Sequence, residues 1–105
     1  MDAAEVAQRL AADPAGVFIL DIREPHETRH GTVEGAVLIP MNDVPDRLAE
    51  LPTDPLIAVV CAAGMRSFGV AHYLREQGYA EAWSVPEGVG GLAEAGLPWV
   101  QPAGG

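Results

Sequence analysis

Residues 61–67 read CAAGMRS and hold the chain's single cysteine, Cys61, five positions before its nearest downstream arginine, Arg66. Directly before them stands the apolar run LIAVV (56–60), and directly after them SFGVAHYLREQG (67–78), which has the look of a helix closed by Gly78. A cysteine at the carboxyl end of a buried strand, in a loop that enters a helix, meets successive backbone N–H groups and the positive end of a helix dipole. That setting favours the thiolate over the thiol, and the thiolate is the nucleophile. Gly64 offers the positive φ a tight loop needs, Arg66 adds a permanent cation, and Ser67 is placed to cap the helix. A free cysteine is often only a small buried hydrophobe. The convergence of these groups within seven residues favours a reactive thiol.

The elements needed to hold this loop are legible in the pattern around it. Asp2 followed by Glu5 marks a helix start, with Ala3, Val6 and Leu10 as its apolar stripe, and Asp13-Pro14 ends it. VFIL (17–20), AVLIP (36–40) and LIAVV (56–60) are continuous apolar runs of the kind that form strands buried on both faces, and YAEAWSV (79–85) is a weaker fourth. A helical turn is expected after Pro25, a second helix over VPDRLAEL (44–51) with Leu48 and Leu51 inward, and a short helix over LAEAG. Strands alternating with helices predict an α/β fold with a parallel sheet, whose ligands bind outside the carboxyl ends of the strands.

Composition narrows the function. The chain has 105 residues, 49% hydrophobic and 20% charged, which fits one domain spanning 1–105, with a core over about 6–100 and a tail at 101–105. Its formal net charge is −9, and all six basic residues are arginine. Such a surface repels nucleic acid and anionic membranes, so neither is expected as a partner, and an anionic substrate needs a locally positive site. No apolar run spans a membrane and no signal peptide is visible, so the expected location is cytoplasmic. One cysteine forms no internal disulfide and no multi-cysteine zinc site, and His26, His30 and His72 lack ligand spacing, so no metal or organic cofactor is expected.

With CAAGMRS at a strand end, the segments LDIREPHE (20–27), GTVEGAVLIP (31–40), LREQGY (74–79) and EAGLPW (94–99) follow in an order and spacing that resembles the rhodanese-like sulfurtransferase domain. The resemblance covers about Val6 to Val100. It implies a three-layer fold, a five-stranded parallel sheet flanked by helices on both faces. It also implies thiosulfate sulfurtransferase-like activity: Cys61 takes a sulfane sulfur from a donor such as thiosulfate and passes it, through a persulfide, to cyanide, a thiol or a sulfur-relay protein. The substrate-binding cradle would be Ala62, Ala63, Gly64, Met65, Arg66 and Ser67, with Asp21 and Arg23 as supporting residues that orient an arginine or a loop amide, or that simply brace the loop as an ion pair.

Some positions depart from the family's pattern. Ala62 stands where many members have an arginine, Gly31-Thr32 replaces the usual Gly-His, Pro86-Glu87-Gly88 replaces Glu-Gly-Gly, and Leu92 replaces a tryptophan. Two other readings remain open at this level. A cysteine phosphatase or arsenate reductase uses a similar anion loop, but one residue longer between Cys and Arg than the four seen here. A non-catalytic interaction module would keep the fold alone.

Overall fold

A computed structural model describes residues 1–102. The alternating runs become α1 (Ala3–Ala12), β1 (Val17–Asp21), α2 (Pro25–Thr28), β2 (Thr32–Val33), β3 (Val37–Leu38), a 3-10 segment at Met41–Glu50, β4 (Leu56–Val60), α3 (Met65–Glu76), β5 (Ala82–Ser84), α4 (Gly88–Glu94) and β6 (Trp99–Val100). The proposed tail at 101–105 lies outside the described residues from 103 onward.

Four strands form one parallel sheet in the order β3-β1-β4-β5. All five residues of β4 are buried, as its unbroken apolar run requires of a strand covered on both faces. Side chains alternate across a strand, and β4 divides accordingly. Ile57, Val59 and Cys61 join one core with Leu20, Ile22 and the α3 residues Val70, Ala71 and Leu74. Leu56, Ala58 and Val60 join the other with Val17, Ile19, Val6 of α1, and Val89 and Leu92 of α4. The result is the expected three-layer α/β arrangement, with α3 and the 3-10 segment on one face of the sheet and α1 and α4 on the other.

The expected five parallel strands are corrected to four. The remaining extended pieces, β2 and β6, pair antiparallel with each other, Thr32 opposite Val100 and Val33 opposite Trp99, in a separate ribbon. The expected helix over 44–51 is also corrected. It begins earlier, at Met41 behind Pro40, and runs as a 3-10 segment containing Pro45, with a kink at Arg47 (φ −120°, ψ 20°). The Pro45 ring clashes with the carbonyl that an α-helix would place four residues before it, so the tighter winding prevails. Leu51 is buried as expected, Val44 carries the rest of the inward face, and Leu48 is half-buried.

Both ends of α1 and the end of α3 follow their sequence signals. The Asp2 carboxylate accepts the Glu5 N–H at 2.8 Å, and α3 closes at Gly78 with φ 101°. No helix among the described residues is long and apolar enough to cross a membrane.

Candidate active site

Cys61 follows β4 directly, and its 1% exposure reflects a loop that curls over it. Two glycines make the curl possible. Gly64 holds φ 84° as the residue capping α3, and a Cβ there would stand 2.5 Å from the Pro86 carbonyl oxygen. Gly88, at φ 71°, lets the following turn close on the loop from the other side, where a Cβ would meet the Ala62 and Cys61 carbonyl oxygens at 2.5 and 2.6 Å. The Val89 N–H donates to the Cys61 carbonyl at 3.0 Å and ties the start of α4 to the loop. The departure Pro86-Glu87-Gly88 therefore still places a glycine where the backbones touch.

The sulfur lies among donors. The Gly64 N–H points to Sγ at 3.1 Å, and the Ser67 hydroxyl lies 3.6 Å from it, able to accept from a thiol or donate to a thiolate. Burial pushes the Cys61 thiol up. The Ser67 N–H and hydroxyl, with the N–H groups of Ala63 and Gly64, outweigh that and hold it below its ordinary value. Ser67 is not the helix cap expected from the sequence, a correction that follows from where α3 begins: the helix starts at Met65, which puts Ser67 inside its first turn. There the buried hydroxyl has one proton to give, to the Gly64 carbonyl at 3.1 Å while Sγ is a thiol and to Sγ once it is a thiolate, and it meets the Ser84 hydroxyl at 2.7 Å, so it bridges the sulfur to β5. Ala62, Ala63 and Met65 are exposed around the loop's rim and present no charge.

Arg66, the one cation of the loop, turns aside. Its two terminal nitrogens donate to the two oxygens of Glu27 at 2.7 and 2.9 Å, a bidentate pair between residues 39 positions apart. Arg66 holds the Glu27 carboxyl down to about 2, and Glu27 in turn raises the Arg66 guanidinium above its usual value. Glu27 Oε1 also accepts the Glu24 N–H at 3.0 Å, so the short helix α2 fixes the carboxylate that fixes the arginine.

Asp21 and Arg23 lie elsewhere. Asp21 has the parity of Val17 and Ile19, so its side chain leaves the sheet on the face opposite Cys61. Arg23 grips it with Nε at 3.0 Å and NH2 at 2.8 Å, the Thr32 hydroxyl donates to it at 2.8 Å, and Arg23 reaches on to the Gly31 carbonyl at 2.8 Å. The guanidinium carbon sits 5.9 Å from the Trp99 ring. This buried cluster joins β1 to the β2–β6 ribbon, and neither residue hydrogen-bonds to 61–67. Neither role expected of the pair at the loop is met: it braces the β2–β6 ribbon against β1 instead.

Glu27 and Ser84 were not singled out from the sequence, and Gly88 was named only in the Pro86-Glu87-Gly88 departure. Glu27 carried one signal, its place three residues after Glu24 at the start of the Pro25 turn, which is capping-box spacing. Ser84 carried none, since it reaches the loop through tertiary contact. Among the described residues no group of histidine, cysteine or carboxylate side chains is arranged to hold a metal ion.

The family model of the rhodanese-like domain matches residues 2–95. A sulfurtransferase of Allochromatium vinosum is 36% identical over 99% of this chain and 96% of its own length. The thiosulfate sulfurtransferase PspE of Escherichia coli is 32% identical over 78% of this chain and 77% of its own. Among solved structures, a rhodanese-related protein of Thermoplasma volcanium superposes with a TM-score of 0.79 at 29% identity, covering 95% of each chain. A buried thiol cradled by amides at a strand–helix junction, in a chain with these relatives, leads to one assignment: the protein belongs to the rhodanese-like family, as an enzyme of its sulfurtransferase class.

Proposed function

We propose that Cys61 carries the transferred sulfur as a persulfide. The observation that supports it is the ring of N–H and O–H donors around Sγ, from Ala63, Gly64 and Ser67, which favours an anion on sulfur whether that sulfur belongs to the thiolate or to the persulfide. With thiosulfate as donor, the Cys61 thiolate attacks the outer sulfur, a new S–S bond forms, and the bond to the sulfonate sulfur breaks with its electron pair leaving in sulfite. With cyanide as acceptor, its carbon takes the outer sulfur as thiocyanate and the electron pair returns to Cys61. A thiol or a sulfur-relay protein takes the sulfur in the same manner.

Ala62 to Ser67 act as the cradle, and Asp21 and Arg23 support the fold by holding the β2–β6 ribbon to β1 on the other face of the sheet. The chain works as one domain over about 6–100. A cytoplasmic location suits a chemistry that needs the lone thiol kept reduced. Neither metal nor organic cofactor enters any step.

The test is thiocyanate release from thiosulfate and cyanide, read together with intact mass. The expected result is turnover and a mass gain of one sulfur atom on Cys61, both lost in Cys61→Ser. Absence of both with every sulfane donor tried overturns the reading, and turnover of an aryl phosphate would replace it with phosphatase chemistry.

A further inference from the structure

Beside the loop lies a groove of about 480 Å³. Gly64, Met65 and Ser84 form the end nearest Cys61, while Phe68, Trp83 and Arg75 form its walls. Helical spacing explains the wall from α3: positions 68, 71 and 75 share one face of that helix, and it overlooks β5, the outermost strand of the sheet. Met65 and Phe68 are 85% and 68% exposed, and Trp83 is exposed beside them. Large apolar side chains clustered next to a reactive sulfur, around a volume within the range of small-molecule sites, suit the body of an organic ligand.

The groove's charge narrows the ligand. Arg75 is its one charged side chain, with the guanidinium carbon 4.6 Å from the Trp83 ring and NH1 donating to the Ala82 carbonyl. Arg23, Arg47 and Arg66 each have a carboxylate partner, and Arg75 has none among the described residues. The nearby carboxylates are engaged outside the groove, Glu81 by the Trp83 indole N–H at 2.9 Å and Glu76 by His72 at 3.3 Å. In a chain of net charge −9, an apolar groove holding an arginine and no carboxylate is complementary to an anion with an apolar body.

We infer that this groove binds the sulfur acceptor, and that the acceptor is a small organic thiol with an apolar body along Phe68 and Trp83 and an anionic end group at Arg75. The inference rests on the persulfide reading above. In the transfer, the acceptor's thiol gives its proton to the anionic outer sulfur of the Cys61 persulfide and, as thiolate, attacks that sulfur. The new S–S bond leaves the product as an organic hydropersulfide, the Cys61–sulfur bond breaks, and its electron pair returns to Cys61 as thiolate. Sulfur changes hands with no external oxidant or reductant.

Persulfidated protein is offered mercaptoacetate, mercaptohexanoate and mercaptohexanol, and kcat/KM for each is measured by loss of the sulfur adduct. An open groove gives about half the full burial of each methylene, close to a factor of two apiece, so mercaptohexanoate, four methylenes longer, is expected to exceed mercaptoacetate by roughly fifteenfold. It should exceed mercaptohexanol by about threefold, the worth of a partly exposed ion pair. Phe68→Ala should collapse the chain-length ratio, and Arg75→Gln, but not Arg75→Lys, the carboxylate preference. Separately, the methyl thioether of mercaptohexanoate, which accepts no sulfur, should perturb tryptophan fluorescence in the wild type and much less in Phe68→Ala. Equal rates for the three thiols, with Phe68→Ala without effect, overturn the groove and leave the persulfide standing. A protein that never gains sulfur yet binds the thioether overturns the persulfide and leaves the groove as an organic-anion site. Absence of both adduct and thioether binding overturns both.

Discussion

Glu27→Gln is the substitution with the most informative outcome. Glu27 meets Arg66 through two hydrogen bonds, and their side chains are only 23% and 32% exposed, so the pair is neutral as a unit where an incoming anion would meet it. Glutamine keeps the size and one acceptor but releases the charge. A dianionic donor about 5 Å from an uncompensated guanidinium, at an effective dielectric of about 40, gains about 3 kcal/mol. Counter-ion screening and the freedom regained by Arg66 reduce that to about 1–2 kcal/mol, or about tenfold in KM for thiosulfate. Glu27 touches no reacting atom, so the effect belongs in KM with kcat nearly constant, and Glu27→Asp should lie between wild type and Glu27→Gln. Loss of the bidentate pair also costs about 1 kcal/mol of stability, a fall of roughly 5 °C in Tm for a domain of this size. The assay is steady-state thiocyanate formation across thiosulfate concentrations at fixed ionic strength. A KM unchanged or raised in a folded Glu27→Gln protein refutes the idea that Glu27 suppresses the loop's only cation.

Other substitutions test the cradle and its supports. Ser67→Ala removes one of the groups that hold the Cys61 thiol down, so the pH at which half the thiol is ionised should rise toward the ordinary value of about 8.5, and the reactive fraction at neutral pH should fall; alkylation rate against pH measures it. Gly64→Ala forces a Cβ to within 2.5 Å of the Pro86 carbonyl at a positive φ, and should cost about 2–3 kcal/mol in denaturant unfolding and most of the sulfur-transfer rate. Asp21→Asn leaves Arg23 buried without its counter-charge and should cost about 3–5 kcal/mol, while the pH profile of Cys61 alkylation stays in place, because the cluster faces the other side of the sheet.

The loop was legible because its chemistry is local. Cys61, Gly64 and Ser67 are contiguous with an apolar run whose short length and β-branched residues mark a strand covered on both faces. The same local logic found α1 through Asp2 and the end of α3 through Gly78. What escaped depends on distance along the chain. Arg66 looked like a free cation until α2 brought Glu27 to it from 39 residues away. The β2–β6 ribbon has only two residues per strand, too few for any periodicity, and its pairing is specified by the Arg23, Thr32 and Trp99 contacts rather than by composition. The helix expected at 44–51 failed on a local signal that was present, Pro45, whose ring clashes with the i−4 carbonyl of an α-helix.

These features together predict an unusual dependence on salt. The anion on Cys61 is stabilised by dipoles, from N–H groups and a hydroxyl, whose influence falls off within a few ångströms. The cation of the loop itself, Arg66, is paired with Glu27, and Ala62 supplies no other. A thiosulfate dianion approaching from solution therefore meets the field of a protein carrying −9 before it meets the cradle. Raising ionic strength from about 0.01 to 0.15 M shortens the screening length from about 30 to about 8 Å and removes most of that repulsion. For the wild type, kcat/KM with thiosulfate should rise with salt, by roughly threefold to tenfold, with cyanide held saturating. Glu27→Gln should flatten the curve, because its uncovered guanidinium offsets the repulsion where the donor docks. A wild-type rate that falls with salt would mean the donor is drawn in by a positive field, and Arg66 would then have to leave Glu27 when substrate arrives.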